Sequence, residues 1–361
     1  SRYHPGSVER TRAGEGGVNT VHIGDCREVM RKLVAEGVRV QCIVTSPPYF
    51  GLRDYGHPGQ LGLESTPAEY VAGMVEVFGL ARELLADDGV MWLNLGDSYV
   101  SSAAAQVPDS KNPRAGVMRP GNPEKNGGAS NRDGVRVFGL PPKNLIGIPW
   151  RVAFALQDAG WWLRQDIIWS KPNPMPESVT DRCTKAHEYV FLLTRSERYY
   201  YDAEAIKERA AGLTEHDLTG SGYHAPGQSP NTGTRRSGNK ERKPASCRGV
   251  PVDTGGKSSG AVAGSVPWEG STRNRRSVWT IATQPYAEAH FATFPEALVE
   301  PCILAGSRPG DTIFDPFMGS GTVASVAQRL GRRWLGAELN PAYGELIERR
   351  TRGTLGLELT A

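Results

Sequence analysis

Two short segments hold the side chains best suited to chemistry: Ser46-Pro47-Pro48-Tyr49, and the nine residues 314–322. In the first, a hydroxyl and a peptide carbonyl can accept hydrogen bonds, and the prolines would hold that carbonyl rigid and outward. An exocyclic base amine is a poor nucleophile because its lone pair is delocalised into the ring. Fixed acceptors at Ser46 Oγ and the Pro47 carbonyl favour the tetrahedral geometry that such a nitrogen needs, contributing on the order of a few kcal/mol each by preorganisation. Tyr49 offers a ring on which an extruded base can stack. Taken alone, two prolines after a strand are only a stop signal.

The second segment reads Phe314-Asp315-Pro316-Phe317-Met318-Gly319-Ser320-Gly321-Thr322. A strand ends in an acid, glycines permit close backbone approach, and a helix begins whose first N–H groups can hold an anion. A triphosphate loop would place a lysine after the glycines, and Thr322-Val323 supplies none. Asp315 beside an anion site suits a ligand carrying both an ammonium and a carboxylate, which is an amino acid. Glu338 ends the following strand, where an acid typically accepts from ribose hydroxyls. An amino-acid end and a ribose end in one crevice describe S-adenosylmethionine better than a dinucleotide. The G-x-G-x-x-G fingerprint of a nicotinamide dehydrogenase follows no strand in this chain.

The elements that must position these loops can be read from periodicity. Val21-His22-Ile23 is a short strand, followed by an amphipathic helix with Val29, Met30 and Leu33 on one face. Residues 40–45 form a buried strand delivering the proline loop. Helix 67–85, strand 90–95, helix 149–158, strands 161–169 and 188–194, helix 294–305, strand 312–314, helix 323–330, strand 333–337 and helix 341–351 complete the series. Strands alternating with helices predict an α/β, doubly wound, mostly parallel sheet of the Rossmann-like type, which binds ligands at the carboxyl ends of its strands. Both loops sit at such ends, so the two corners are expected to meet across one cleft.

Residues 1–20 read as a loose arm, 101–138 as a mobile insertion, and 210–279 as a basic region interrupting a catalytic domain of 21–209 and 280–361. Net charge of +3 argues little. Its distribution says more: Arg235, Arg236, Lys240, Arg242, Lys243, Arg248, Lys257, Arg273, Arg275 and Arg276 face only Glu241, Asp253 and Glu269 in the same stretch. A local excess of that kind suits a polyanion, because neutralised phosphates release counterions; charge alone fits a solvated loop equally well. The five cysteines are scattered, without a C-x-x-C pair, and read as reduced thiols rather than a disulfide frame or a metal site. No apolar run reaches the length of a membrane span and no signal peptide opens the chain, so a cytoplasmic protein is expected.

The sequence resembles the amino-methyltransferases of bacterial and phage restriction–modification systems, in particular the β-ordered group. There the catalytic loop comes first, the target-recognition region follows, and the cofactor loop comes last. The match runs from about residue 21 to 349. Val21 to Asp25 resembles the opening segment whose Asp contacts the cofactor adenine, with Cys26 adjoining it, and 45–49 matches the catalytic motif. Lys171-Pro172-Asn173-Pro174-Met175-Pro176, with Arg182 and His187-Glu188, resembles a segment near the target base. His290-Phe291-Ala292-Thr293-Phe294-Pro295 matches the motif beside the methionine end, and 314–322 is the glycine motif.

The resemblance implies a DNA methyltransferase that flips its target base and uses S-adenosylmethionine without a metal. Its catalytic residues would be Ser46, Pro47, Pro48 and Tyr49. Its cofactor would be held by Asp25, Cys26, Phe294, Phe314, Asp315, Phe317, Gly319, Ser320, Gly321, Thr322, Glu338 and Asn340. Duplex DNA would meet Arg53, Lys171, Arg235, Arg236, Arg273, Arg275 and Arg276. Within the family, Ser-Pro-Pro-Tyr usually accompanies N4-cytosine methylation, and an Asp or Asn in the first position accompanies N6-adenine, so Ser46 favours cytosine. A homodimer and a cognate restriction endonuclease are compatible with the resemblance without being required by it. His187, His290, Trp161, Trp162 and Trp169 are expected as core, while Arg53, Asp54 and Lys171 are divided between substrate contact and local ion pairing. A non-catalytic DNA-binding relative, and an RNA or protein methyltransferase, are the rival readings.

Overall fold

The computed structural model describes residues 18–52, 57, 59–100, 140–209, 272–284 and 295–355. The chain runs β1 (Thr20–Ile23), α1 (Cys26–Ala35), β2 (Val40–Thr45), α2 (Pro67–Leu84), β3 (Leu85–Leu95), α3 (Ile148–Asp158), β4 (Trp162–Ser170), β5 (His187–Thr194), β6 (Glu208–Arg209), β7 (Thr272–Arg273), β8 (Val278–Thr280), α4 (Glu296–Gly306), β9 (Thr312–Asp315), α5 (Thr322–Arg329), β10 (Arg333–Glu338) and α6 (Ala342–Leu355).

Among the described residues, eight strands form one sheet in the order β1-β10-β9-β2-β3-β5-β4-β8. β1, β10, β9, β2 and β3 run parallel. The antiparallel member is β5, which pairs with β3 on one side and β4 on the other. The sheet is the doubly wound α/β type with one antiparallel strand set into it, as such sheets commonly carry. Apolar residues on both faces of β2, β3, β5 and β9 are buried, among them Ile43, Val44, Met91, Trp92, Phe191, Leu192, Ile313 and Phe314. That is why these strands read as nearly continuous apolar runs rather than as alternating ones.

Helix ends follow ordinary capping chemistry. Thr66 and Glu69 form a reciprocal capping box at α2, with Pro67 at the first turn. Asp25 caps α1 through the Arg27 amide. Asp97, at the end of the segment following β3, accepts from the backbone N–H groups of Gly147 and Ile148 and so closes the amino end of α3.

Two features differ from the sequence reading. β3 begins at Leu85 rather than Val90. Val278–Thr280 form an eighth strand parallel to β4, with Trp279 buried, so residues expected to close the inserted region belong to the sheet. By contact, the chain divides into one unit of Ser1–Ile206 with Arg276–Ala361 and another of Lys207–Arg275. In the second, the described residues form a two-stranded antiparallel ladder, with Arg273 ion-paired to Glu208 at 2.9 Å. The expected insertion 101–138, the arm before residue 18 and most of the basic stretch lie outside the described residues.

Candidate active site

β2 and β9 are neighbours, with Cys42 opposite Ile313 and Ile43 opposite Phe314. Two strands in parallel register end on the same edge, so the loop after Thr45 and the loop after Asp315 leave the sheet side by side. Thr45 and Asp315 are both buried, and the Thr45 hydroxyl donates to Asp315 Oδ1 at 2.7 Å. The proline corner and the glycine corner therefore share a wall.

In the proline corner, Pro47 is buried and Ser46 half-buried. The Pro48 carbonyl accepts from the Tyr70 hydroxyl at 2.9 Å, which anchors the loop to α2. Tyr49 is half-buried, and its ring lies so close to the Gly96 backbone that a Cβ there would come within 2.5 Å of it. Only glycine leaves room for the ring at that point.

The Tyr49 hydroxyl donates to Glu188 Oε2 at 2.7 Å and lies 3.2 Å from Asn94 Oδ1, while Ser46 Oγ donates to it at 3.3 Å. Asn94 Nδ2 bridges Glu188 Oε2 and the Tyr189 carbonyl, both at 3.1 Å. Lys171 pairs with Glu188 Oε1 and sits 4.3 Å over the Trp169 ring. Lys185 donates to the Asp97 carbonyl at 2.7 Å, and burial depresses its ammonium pKa. Burial, with the Glu188 charge second, pushes the Tyr49 phenol well above its usual range, so it remains a hydroxyl.

The glycine corner is built on left-handed backbone at Gly319 (φ 53°) and Gly321 (φ 79°). A side chain at Gly321 would also press on Ile347 of α6. Gly321 caps α5 without a side-chain hydrogen bond, so no cap side chain takes up the first amides of that helix. Arg350 of α6 donates to Ser320 Oγ and Thr322 Oγ1, each at 3.0 Å, and pairs with Glu296 of α4 at 2.8 Å. A guanidinium thus braces the loop from behind.

Asp315 Oδ1 accepts from Thr45 and from the Phe317 amide at 3.0 Å, whereas Oδ2 is buried with no hydrogen-bond partner among the described residues. Burial raises the carboxyl pKa to about 7, against the opposing pull of those two donors. A buried carboxylate oxygen without a donor is costly, and a cationic ligand group would satisfy it. The donor set around Asp315 therefore fits the ammonium of an amino-acid ligand.

Several expected contacts are otherwise engaged. Glu338 accepts the Gly319 amide at Oε2 (2.7 Å) and the Asn340 amide at Oε1 (2.8 Å), so the Gly319 N–H serves Glu338 rather than an anion. Burial raises the Glu338 pKa. Phe314 is in the core, leaving only its backbone at the crevice. Cys26 is buried among the same residues, its thiol pushed up to about 12, chiefly by burial. Asp25 is held by its cap and by Arg27 at 2.5 Å, which lowers its pKa. Asn340 caps α6 through the Ala342 amide, and Phe317 packs partly on the core. Lys171 turns inward to Glu188 and is not displayed on an outer face. Arg53, Arg235, Arg236, Phe294, Asp54 and His290 lie outside the described residues. Trp161 and Trp169 are buried as expected of core, whereas Trp162 is exposed.

Asn94, Gly96 and Glu188 carry the network around Tyr49. In the sequence Glu188 stands out only within the segment near the target base, and Asn94 and Gly96 belong to no motif. The available signals are one polar residue inside the apolar run Val90-Met91-Trp92-Leu93-Asn94-Leu95 and a polar pair, His187-Glu188, opening a strand. Among the described residues, no group of three or more His, Cys, Asp or Glu could hold a metal ion, and no helix is long and apolar enough to cross a membrane.

The chain is similar to known proteins over most of its length. The chain is 44% identical over 336 residues to the type II methyltransferase M.Cfr9I of Citrobacter freundii, covering 92% of this chain and 88% of that one. It is 42% identical over 330 residues to the type II methyltransferase M.SmaI of Serratia marcescens, covering 91% and 89%. In fold, it is similar to the solved PvuII DNA methyltransferase, described as cytosine-N4-specific, with a TM-score of 0.52 and 18% identity over 94% of this chain and 90% of that one. A family model for DNA methylases acting at N6 or N4 matches residues 40–349. The chain belongs to this N6/N4 DNA methylase family.

Proposed function

We propose that the protein is a site-specific DNA methyltransferase that moves a methyl group from S-adenosylmethionine to the exocyclic N4 of a cytosine flipped out of duplex DNA. The observation that carries this reading is the shared wall of the two corners, where Thr45 of the acceptor loop touches Asp315 of the ligand loop. In-line transfer between two bound groups needs them held side by side in a water-poor pocket.

S-adenosylmethionine supplies an electrophilic methyl on a sulfonium. Asp315 Oδ2 takes its ammonium, the α5 amides with Arg350 behind them take its carboxylate, and Glu338 offers its remaining lone pairs to the ribose. Asp25, Phe317 and Asn340 are assigned to the rest of that crevice, and Phe294 to the cofactor by the resemblance alone. Ser46 Oγ and the Pro47 carbonyl accept from the base amine, and Tyr49 holds the base ring. The basic stretch 210–279, with Arg53, Arg235, Arg236, Arg273, Arg275 and Arg276, meets the duplex as the target-recognition region. The protein works in the cytoplasm, as the modification half of a restriction–modification pair.

Cytosine is favoured by Ser46 and by the N4-specific PvuII enzyme of similar fold. The family model covers both amines, which keeps N6-adenine as the second reading. Digestion of DNA methylated by the pure protein, followed by mass analysis of the nucleosides, tests this directly. N4-methylcytosine is expected; N6-methyladenine as the sole product would establish the second reading instead.

A further inference from the structure

We propose that Glu188 acts as the proton acceptor of the transfer step, reached from the base amine through Ser46 and Tyr49. This rests on the methyltransferase reading above and adds a residue to it.

The chain of donors already points one way. Ser46 Oγ donates to the Tyr49 hydroxyl, and Tyr49 donates to Glu188 Oε2. Each hydroxyl is at once an acceptor from the side nearer the base and a donor to the side nearer the carboxylate. Asn94 fixes the geometry by donating to the same Glu188 oxygen. Lys171 engages the other oxygen, Oε1, so Oε2 is the one left for Tyr49. The Glu188 and Lys171 side chains are 15% and 18% exposed, which shields the path and leaves a short exit to water.

When the amine nitrogen uses its lone pair for the new bond to carbon, the old carbon–sulfur pair stays on sulfur, and the nitrogen becomes positive. It must release one proton. Ser46 Oγ accepts that proton from the amine as its own proton passes to Tyr49 Oη, and the Tyr49 proton passes to Glu188. The two hydroxyls end as they began, and the carboxylate ends as a neutral acid beside Lys171. A negative group at the end of the chain also makes Ser46 a stronger acceptor while positive charge develops on nitrogen, which stabilises the transition state more than the ground state.

Glu188→Gln tests the assignment, because the amide can still accept from Tyr49 while it cannot take a proton. Single-turnover methylation of DNA with saturating S-adenosylmethionine, in H2O and in D2O, is the measurement. Lys171→Gln/Glu188→Gln is carried beside it so that no lone ammonium is left behind. The wild type should be slowed by D2O. Both variants should transfer roughly 10²-fold more slowly, lose the D2O sensitivity, and keep wild-type melting temperature and cofactor affinity by calorimetry. Tyr49→Phe should fall to a similar level, and Tyr49→Phe/Glu188→Gln no lower, because one path is cut twice. A Glu188→Gln rate within about twofold of wild type, or a slow variant keeping the full D2O effect, would overturn the relay; so would losses explained by weaker cofactor binding or a lower melting temperature. Product identity separates this from the parent reading, since the relay serves an adenine amine equally well. N6-methyladenine would overturn the choice of base and leave the relay comparison intact, whereas a wild type that methylates no DNA would end both.

Discussion

The Thr45 hydroxyl and Asp315 Oδ1, 270 positions apart in the chain, are hydrogen-bonded at 2.7 Å inside the sheet edge. This contact does two things. It fixes the spacing between the acceptor loop and the ligand loop, and it supplies one of two donors that keep the Asp315 carboxylate ionisable in a buried site. Thr45→Val removes the hydroxyl at nearly constant shape. Loss of a hydrogen bond to a charged group is worth about 1.5–3 kcal/mol, so S-adenosylmethionine should bind roughly 10- to 100-fold more weakly by calorimetry at pH 7. Unchanged affinity would detach Asp315 from the cofactor.

Asp315 makes its own prediction about pH. Its folded pKa is raised by burial from 3.8 to about 7, so between those values the folded state holds a proton that the unfolded state has released. The contribution of Asp315 to the stability of the cofactor-free protein therefore falls as pH rises through that window and is flat above it, by an amount on the order of 4 kcal/mol. Asp315→Asn lacks this penalty. Its melting temperature should exceed wild type at pH 8, with the difference shrinking toward pH 4. Cofactor binding should show the reverse: wild-type affinity climbs as pH rises to about 7, and the Asn variant binds weakly throughout.

Ser46→Ala removes the proposed first acceptor of the amine without touching the glycine corner. Turnover should drop about 10²–10³-fold, in line with loss of one preorganised hydrogen-bonding group, while cofactor affinity stays within twofold. Steady-state kinetics with calorimetry separates the two quantities, and a parallel loss of both would mean that the loops are not independent.

Gly96→Ala places a methyl group within 2.5 Å of the Tyr49 ring. The strain of overpacking typically costs about 1–3 kcal/mol, visible as a lower melting temperature. Because the ring must tilt, the Tyr49–Glu188 contact lengthens and turnover should fall by more than cofactor affinity does. Normal turnover with normal stability would show that Tyr49 has freedom the packing denies it.

Much of this was legible in the residues. Strand β2 stopping at two prolines, β9 stopping at Asp315, and the glycine run opening α5 are local signals, and a doubly wound sheet brings strand ends of that kind to one edge. Strand direction is not local. Nothing in Trp162–Ser170 or His187–Thr194 declares that the pair is antiparallel, and Val278–Thr280 are too short to announce a strand without β4 beside them. The partners of Tyr49 were hidden for the same reason. Asn94 lies 45 residues away and Glu188 139 residues away, and only the pairing of β3 with β5 brings them together. Lys171, divided in the sequence between substrate contact and a local ion pair, takes the ion pair with Glu188, and that choice depends on where β4 and β5 meet.

The strand order β1-β10-β9-β2 has a bearing on how the chain is made. Among the described residues β1 pairs with β10 alone, and β2 finds one of its two flanking strands in β9, so these strands wait for partners synthesised much later. Distant pairings of this kind close slowly, and the waiting edges are exposed to aggregation meanwhile. A nascent or prematurely terminated chain ending before residue 312 would carry the proline corner without β9 and Asp315, which hold it in place. Synthesis then sets an order: the proline corner is translated well before the glycine corner that faces it, and the proposed site is assembled only once both are in place.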